Sequence, residues 1–459
     1  MKMLSSDFKI GPRFILGSFL ALILIGTVLL NLPAASRDPG RMPLVDALFT
    51  ATSAVCVTGL IVVDTGSYFT PFGQAVILIL IQLGGLGLMT MATFFLVMIG
   101  RRISLRGQLI LQDSLGEAHV KSLSNQVKSI VILTIVFEAA GAFIFAARLH
   151  HAYDYPWKGA AVSGVFHAIS AFCNAGFSLY SDSLMRFGHD WWITLTMGGL
   201  LVAGGLGFVV WVNLAQFHFW RRDRVLKRRL RLHVKLALTV SLALFLVMLF
   251  SLLAGEWNNT LSGYSWSEKF SRAVFQALTP RTAGFNTLPV ERLAPTTIWM
   301  TILMMFIGAS PGGTGGGIKT TTFAVILTSV FSLLRGRRRS MVFQRVIPEG
   351  IVIKAIAIML IATGVVFFST TLLFWSETKL TSAPNNRTTM GDSIFEVVSA
   401  FGTVGLSTGI TPSLSRIGRL VITATMYIGR VGPLTIALLL GRKKLAPATR
   451  HPEESVLVG

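Results

Sequence analysis

Four short segments of this chain repeat one pattern, and each ends on a glycine. They read FTATSAVCVTGL over 49–60, FHAISAFCNAGF over 166–177, VFQALTPRTAGF over 274–285 and FEVVSAFGTVGLS over 395–407. In every copy an apolar residue (Phe49, Phe166, Val274, Phe395) stands ten positions before a glycine (Gly59, Gly176, Gly284, Gly405). The copies recur every roughly 110–120 residues, a period far longer than that of a solenoid. A quarter of the chain is therefore one unit. The division expected is 1–100, 101–220, 221–334 and 335–459.

What surrounds each copy decides its environment. Of the 459 residues 52% are hydrophobic and only 13% charged, and the mean hydropathy is +0.66. Soluble domains carry about 25% charged residues, so this composition is that of a polytopic membrane protein. Each unit reads as span, short helix with glycine turn, span. The expected outgoing spans are 14–32, 130–149, 236–253 and 351–375. The expected returning spans are 74–100, 191–220, 297–334 (broken by glycines) and 420–440. The short segments 41–55, 160–172, 268–280 and 390–401 are too short to cross and read as re-entrant helices. The fold class expected is an all-α membrane protein of eight spans and four re-entrant loops around one pseudo-fourfold pore.

The charge balance supports that topology. There are 41 Lys and Arg against 20 Asp and Glu, giving +21. In a soluble chain this would suggest nucleic acid. Here the cations cluster between apolar stretches: Arg101, Arg102 and Arg106, then Arg221 to Lys235, Arg335 to Arg345, and Arg442 to Lys444. Every cluster falls on one side, as the positive-inside rule requires. Both ends are expected in the cytoplasm, with no cleavable signal peptide, no nucleic-acid partner and membrane lipid around the spans. Cys56 and Cys173 each lie three residues before a repeat glycine and read as small buried side chains rather than a disulfide.

Non-helical backbone survives at membrane depth only inside protein or along a wet cavity. Four glycine turns therefore imply four walls around one axis. The C-terminal end of each short helix carries partial negative charge, which favours a cation at the centre. Carbonyls of the turn can replace a cation's hydration shell. The residues so placed are Val57, Thr58 and Gly59; Asn174, Ala175 and Gly176; Thr282, Ala283 and Gly284; Thr403, Val404 and Gly405. No carboxylate ring accompanies them, which suits a large monovalent cation. One such glycine alone would be explained by helix packing; four at the same place are not.

A second glycine feature follows each turn by about 25 residues, mid-span at 1.5 Å per residue. Gly84 to Gly87 and Gly204 to Gly207 read most simply as close helix packing. The third, Gly308 to Gly317, cannot hold a helix. It is expected to form a flexible gate of Gly312, Gly313, Thr314, Gly315, Gly316 and Gly317, with Ser310 and Thr314 supplying polar contacts. The fourth carries Arg430. A charge at that depth is functional by default, repelling cations from the cavity; otherwise it is a buried structural ion pair or is bonded to backbone carbonyls. Arg281 and Glu396 form a candidate pair between units, or are solvated outside. His167 reads as a satisfied buried histidine.

These motifs carry a resemblance. Thr403-Val-Gly-Leu406 is close to the filter of potassium channels. TSAVCVTGL (52–60), NAGF (174–177), RTAGFN (281–286), GGGIK (315–319) and IGRVGPLT (428–435) together resemble the Trk/Ktr/HKT superfamily of potassium transporters over essentially the whole chain. The chain looks most like its Ktr branch, because the first span follows Met1 to Arg13 directly with no extra helical hairpin. The resemblance implies potassium as substrate, and Gly59, where sodium-preferring members have serine, points the same way. It further implies sodium as a candidate activator and no organic cofactor on this chain. It implies a homodimer with the tail 451–459 in its interface, and a KtrA-like cytoplasmic ring of nucleotide-binding subunits. The basic runs at 221–235 and 335–345 would dock that ring or anionic lipid. The setting implied is a bacterial inner membrane.

Two other classes compete. A sodium- or proton-coupled symporter would use inverted repeats and midplane carboxylates. These units share one orientation, and no returning span offers such a carboxylate. An enzyme would need a clustered catalytic set, and the eight histidines are scattered.

Overall fold

In an apolar solvent the backbone must satisfy its own polar groups, and nearly every element here does so as helix. A computed structural model describes residues 12–38, 40–87, 123–216, 230–337, 339–380 and 389–432. The first unit contains α1 (Pro12–Leu30), α2 (Leu44–Val55) and α3 (Pro71–Leu86). The second contains α4 (Leu123–Tyr153), α5 (Trp157–Phe172), α6 (Trp191–Leu206) and α7 (Phe208–Gln216). The third has α8 (Leu232–Glu256), α9 (Trp266–Leu278), α10 (Pro295–Phe306) and α11 (Thr320–Leu334). A two-stranded hairpin, β1 (Met341–Val342) with β2 (Arg345–Val346), pairs Met341 with Val346. The fourth unit has α12 (Glu349–Leu380), α13 (Met390–Gly402) and α14 (Arg416–Val431).

Local chemistry sets several helix starts. Ser265 with Glu268 opens α9, and Thr389 with Asp392 opens α13, each as a reciprocal capping box. Asp190 caps α6 by accepting from the Trp192 amide at 2.9 Å, and it also pairs with Arg148 at 2.7 Å. Pro71 and Pro295 occupy first-turn positions of α3 and α10, where a missing amide costs nothing.

The short helices are the core. Residues 49–55 of α2 are all buried, as are residues 395–402 of α13. The long helices instead expose apolar faces, for example Phe250 on α8 and Phe367 and Phe368 on α12. Faces this apolar suit lipid rather than water. Among the described residues three helices are long and apolar enough to cross a membrane: 128–153, 232–256 and 349–378.

The expectation of an unbroken returning span over 191–220 is corrected, whereas the break expected within 297–334 is present. The stretch expected to return over 191–220 is bent by 96° between α6 and α7. The bend falls at Gly207, where φ is +81° and a Cβ would lie 2.6 Å from Gly312 C and Gly313 N. The segment 297–334 breaks between α10 and α11. The expected spans at 74–100 and 420–440 lie partly outside the described residues. Arg101, Arg102, Arg106, residues 221–229, Arg338, Arg442 to Lys444 and the tail 451–459 lie wholly outside them.

Contacts between units are cyclic. The helix after each short helix packs on the short helix of the next unit: α3 on α5, α6 on α9, α10 on α13, and α14 back on α2. The last junction is tied by an ion pair of Arg419 with Asp46, whose side chains are 19% and 12% exposed. Arg419 also donates to Pro412 O at 2.9 Å. At that burial the pair is only partly screened. Asp46→Asn is expected to destabilise the fold by about 1–3 kcal/mol, read as a lower unfolding temperature in detergent. An unchanged temperature would show that the junction does not depend on the pair.

Candidate functional site

Each short helix runs into a turn with a left-handed residue two positions before its glycine. These residues are Val57 (φ +58°), Asn174 (+59°), Thr282 (+69°) and Thr403 (+50°). Positive φ is a genuine outlier for β-branched side chains, and such residues cluster where surrounding structure over-determines them. The glycines follow at φ +90° (Gly59), +72° (Gly176), +78° (Gly284) and +93° (Gly405).

The over-determination comes from the helix just before. Thr58 N donates to Ser53 O at 2.8 Å, and Gly59 N to Ser53 Oγ at 3.0 Å. Val404 N and Gly405 N repeat this with Ser399, at 2.8 and 3.1 Å. Ala175 N donates to Ser170 O at 2.7 Å, and Ser170 Oγ to Phe177 O at 2.8 Å. In the third copy Ala283 N donates to Thr279 O at 3.0 Å, and Thr279 Oγ1 donates to Phe285 O. These four hydroxyls are a positioning set that sequence reading missed. The signal was there, a Ser or Thr five or six residues before each glycine.

The four turns touch in order. A Cβ on Gly59 would meet Ala175 O. On Gly176 it would lie 2.7 Å from Gly284 Cα, on Gly284 2.7 Å from Val404 O, and on Gly405 it would meet Thr58 O. The set expected from sequence is thus brought together as one closed ring of backbone. The side-chain amide of Asn174 lies 3.1 Å from Thr282 Oγ1 across one junction.

Beneath two of these turns lies the glycine loop between α10 and α11. A Cβ on Gly315 would meet Thr282 Oγ1, and one on Gly316 would meet Thr403 Oγ1. The loop is fastened at many points. Ser310 N donates to Gly205 O at 3.0 Å, Thr314 N to Gly204 O at 3.2 Å, and Gly316 N to Thr403 Oγ1 at 2.9 Å. Thr314 Oγ1 donates to Phe172 O at 3.2 Å, and Ser310 Oγ is paired with Thr320 Oγ1 at 2.9 Å. Gly312 and Gly313 sit against Phe208 and Gly205 at the α6–α7 bend, and Gly317 against Gly308.

Arg430 reaches this loop from α14. Its Nη1 donates to Thr314 O, and its Nη2 to Gly84 O and Gly85 O. The guanidinium is bonded to carbonyls of two other units, one of the roles left open by the sequence. Lys319 is a further cation that sequence reading did not assign; its Nζ donates to Gly315 O at 2.6 Å. A lysine inside an apolar stretch was the available signal. A Cβ on Gly84, Gly204 or Gly429 would meet the carbonyl oxygen of Val55, Phe172 or Phe401 at the foot of a short helix. These glycines fit the close-packing reading and extend it to the fourth unit.

Two expectations are corrected. Arg281 and Glu396 do not pair: Glu396 is buried and accepts from Ser407 Oγ and from Thr411 Oγ1 at 3.1 Å. Nor is Glu396 solvated. His167 is buried and bonded, its Nδ1 2.8 Å from Ser163 O and its Nε2 3.0 Å from Ser178 Oγ. Sequence reading also passed over Glu138 on α4, which is 8% exposed and accepts from Gln82 Nε2 at 3.2 Å.

The four turns thus form a ring of strained backbone inside apolar helices, with the glycine loop, Arg430 and Lys319 beside it. The chain belongs to the TrkH family of cation transport proteins, whose model matches residues 11–449. It is similar to Ktr system potassium uptake protein B of Bacillus subtilis, 40% identical over 98% of this chain and 96% of that one. The Vibrio alginolyticus protein of the same name is 38% identical over 98% and 95%. The potassium/sodium uptake protein NtpJ of Enterococcus hirae is 35% identical over 97% of each chain. The fold is similar to the crystal structure of the potassium transporter TrkH from Vibrio parahaemolyticus, with a TM-score of 0.72, 18% identity, and 96% and 86% of the two chains covered.

Proposed function

We propose that this protein takes up potassium through the ring formed by 57–59, 174–176, 282–284 and 403–405, as one pseudo-fourfold pore of four span–helix–span units. The observation that carries the reading is the cyclic contact of the four turns. Alternating positive and negative φ turns successive carbonyls to one side, so such a ring offers carbonyl oxygens to a dehydrated cation. The short helices add the negative ends of their dipoles. The names of the Bacillus and Vibrio relatives support potassium as that cation.

The loop at Ser310 and Gly312 to Gly317, held by Arg430, is the gate in this reading. Control would come from a cytoplasmic nucleotide-binding ring of the KtrA kind, acting on a homodimer in the bacterial inner membrane with both termini inside. Arg335, Arg337, Arg339 and Arg345 are exposed around the β1–β2 hairpin and suit such docking. The test is uptake in potassium-transport-deficient cells at micromolar-to-millimolar potassium. Rescue is expected, and no rescue with a regulatory subunit co-expressed would overturn the reading.

A second reading, coupling to sodium or protons, is favoured by one observation. Glu138 is a buried carboxylate on a span, with no cationic partner among the described residues. Under it, Glu138→Gln would abolish any dependence of uptake on sodium or pH. Under the pore reading that dependence is unchanged.

A further inference from the structure

Arg281 lies in the turn after α9, immediately before Thr282. A guanidinium at this depth is costly unless something meets its charge. Its Nε is buried without a hydrogen-bond partner, and no carboxylate pairs with it among the described residues. It lines a cavity of about 310 Å³ between α6, α8 and α9. The rest of the lining is apolar, including Leu206, Leu242 and Phe245, except for Ser241.

Ser241 repeats the anomaly. It is 9% exposed, and its Oγ is buried without a partner. A hydroxyl on a helix ordinarily bonds back to the carbonyl four residues earlier, as Thr239 on α8 does to Lys235 O at 2.8 Å. Ser241 leaves that bond unmade and lines the same cavity as Arg281. Two unpartnered polar groups on one apolar cavity ask for a ligand with a polar head and an apolar body.

The cavity's rim indicates where the ligand comes from. Val202 is 39% and Leu242 59% exposed, on helices whose outer faces suit lipid. The unopposed charge sets the sign of the head, and a guanidinium fork matches carboxylate or phosphate oxygens. We propose that the cavity binds one membrane amphiphile with an anionic head, carboxylate or phosphate, held by Arg281 and Ser241, its alkyl chain lying among Leu206, Leu242 and Phe245.

The occupant lies directly behind two parts of the conduction site. Arg281 adjoins Thr282, whose Oγ1 borders Gly315. Gly205, on the cavity wall, accepts from Ser310 of the glycine loop. Occupancy therefore links the bilayer's anionic amphiphiles to both turn and loop. Binding itself does not depend on which ion is transported.

The test is native mass spectrometry of the full chain, delipidated in a neutral detergent. It is titrated separately with oleate, phosphatidylglycerol and phosphatidylcholine. At least one of the two anions is expected to bind once per chain, tenfold or more tighter than phosphatidylcholine. Whichever binds identifies the source as free fatty acid or anionic phospholipid. Arg281→Gln should remove the preference and Arg281→Lys retain most of it. Should Arg281→Gln fail to fold, Leu242→Trp on the lipid-facing rim carries the test by filling the cavity and blocking the anion. The proposal is overturned if neither anion binds tighter than phosphatidylcholine, or if the preference survives Leu242→Trp.

Discussion

Gly59→Ser is expected to lower potassium uptake at least tenfold and to erase its preference over sodium. The reason is local and twofold. At φ +90° a residue with a Cβ is strained, by about 1–2 kcal/mol. The Cβ would also meet the carbonyl oxygen of Ala175, and Ala175 belongs to the neighbouring turn of the same ring. That carbonyl cannot retreat freely, because Ala175 N is fixed to Ser170 O at 2.7 Å. The oxygen therefore turns or the turn widens, and either change spoils the spacing that replaces a hydration shell in the proposed reading. A loss of about 1.4 kcal/mol in ion binding is already tenfold. The measurement is uptake with and without competing sodium in potassium-transport-deficient cells, with the amount of folded protein matched. An unchanged potassium-to-sodium ratio would remove Gly59 from the selecting ring.

The glycines were legible because few residues tolerate such backbone, and because they recur. The limits of α9 and α13 were legible within two residues, since capping boxes and the turn mark their ends. Val57, Thr282 and Thr403 were not legible as left-handed residues. Their β-branched side chains argue against that conformation, and the hydroxyls of Ser53, Thr279 and Ser399 override the preference. Hydropathy could not show the bend at Gly207, because the stretch stays apolar on both sides of it. What makes the bend is Gly312, more than a hundred residues later in the chain. The partners of Arg430 were equally hidden, as Gly84, Gly85 and Thr314 come from two other units. The expected pair of Arg281 and Glu396 failed for a related reason. Glu396 finds Ser407 and Thr411 within its own unit, and a local hydroxyl is a nearer partner than a distant cation.

Arg430→Ala is expected to raise potassium flux about tenfold when the protein is expressed without a KtrA-like subunit. Arg430 bonds the loop at Thr314 to α3 at Gly84 and Gly85; in the proposed pore reading it is a clasp across the path below the ring. Hydrogen bonds from a charged donor contribute about 1.5–3 kcal/mol each, and water replaces part of this when the clasp is lost. A net loss of about 1.4 kcal/mol shifts a two-state loop tenfold toward its released form. Removing the positive charge also lowers the barrier to a cation, so the two effects add. Arg430→Lys should lie between, because one ammonium does not reproduce the guanidinium fork that spans both carbonyl groups. Shortening the loop by deleting residues within Gly312 to Gly317 should raise flux too. Combined with Arg430→Ala it should add little, since both changes act on one element. Flux that stays the same or falls in a folded Arg430→Ala protein would mean that the loop is not the gate, and that the three bonds hold α14 to its neighbours instead.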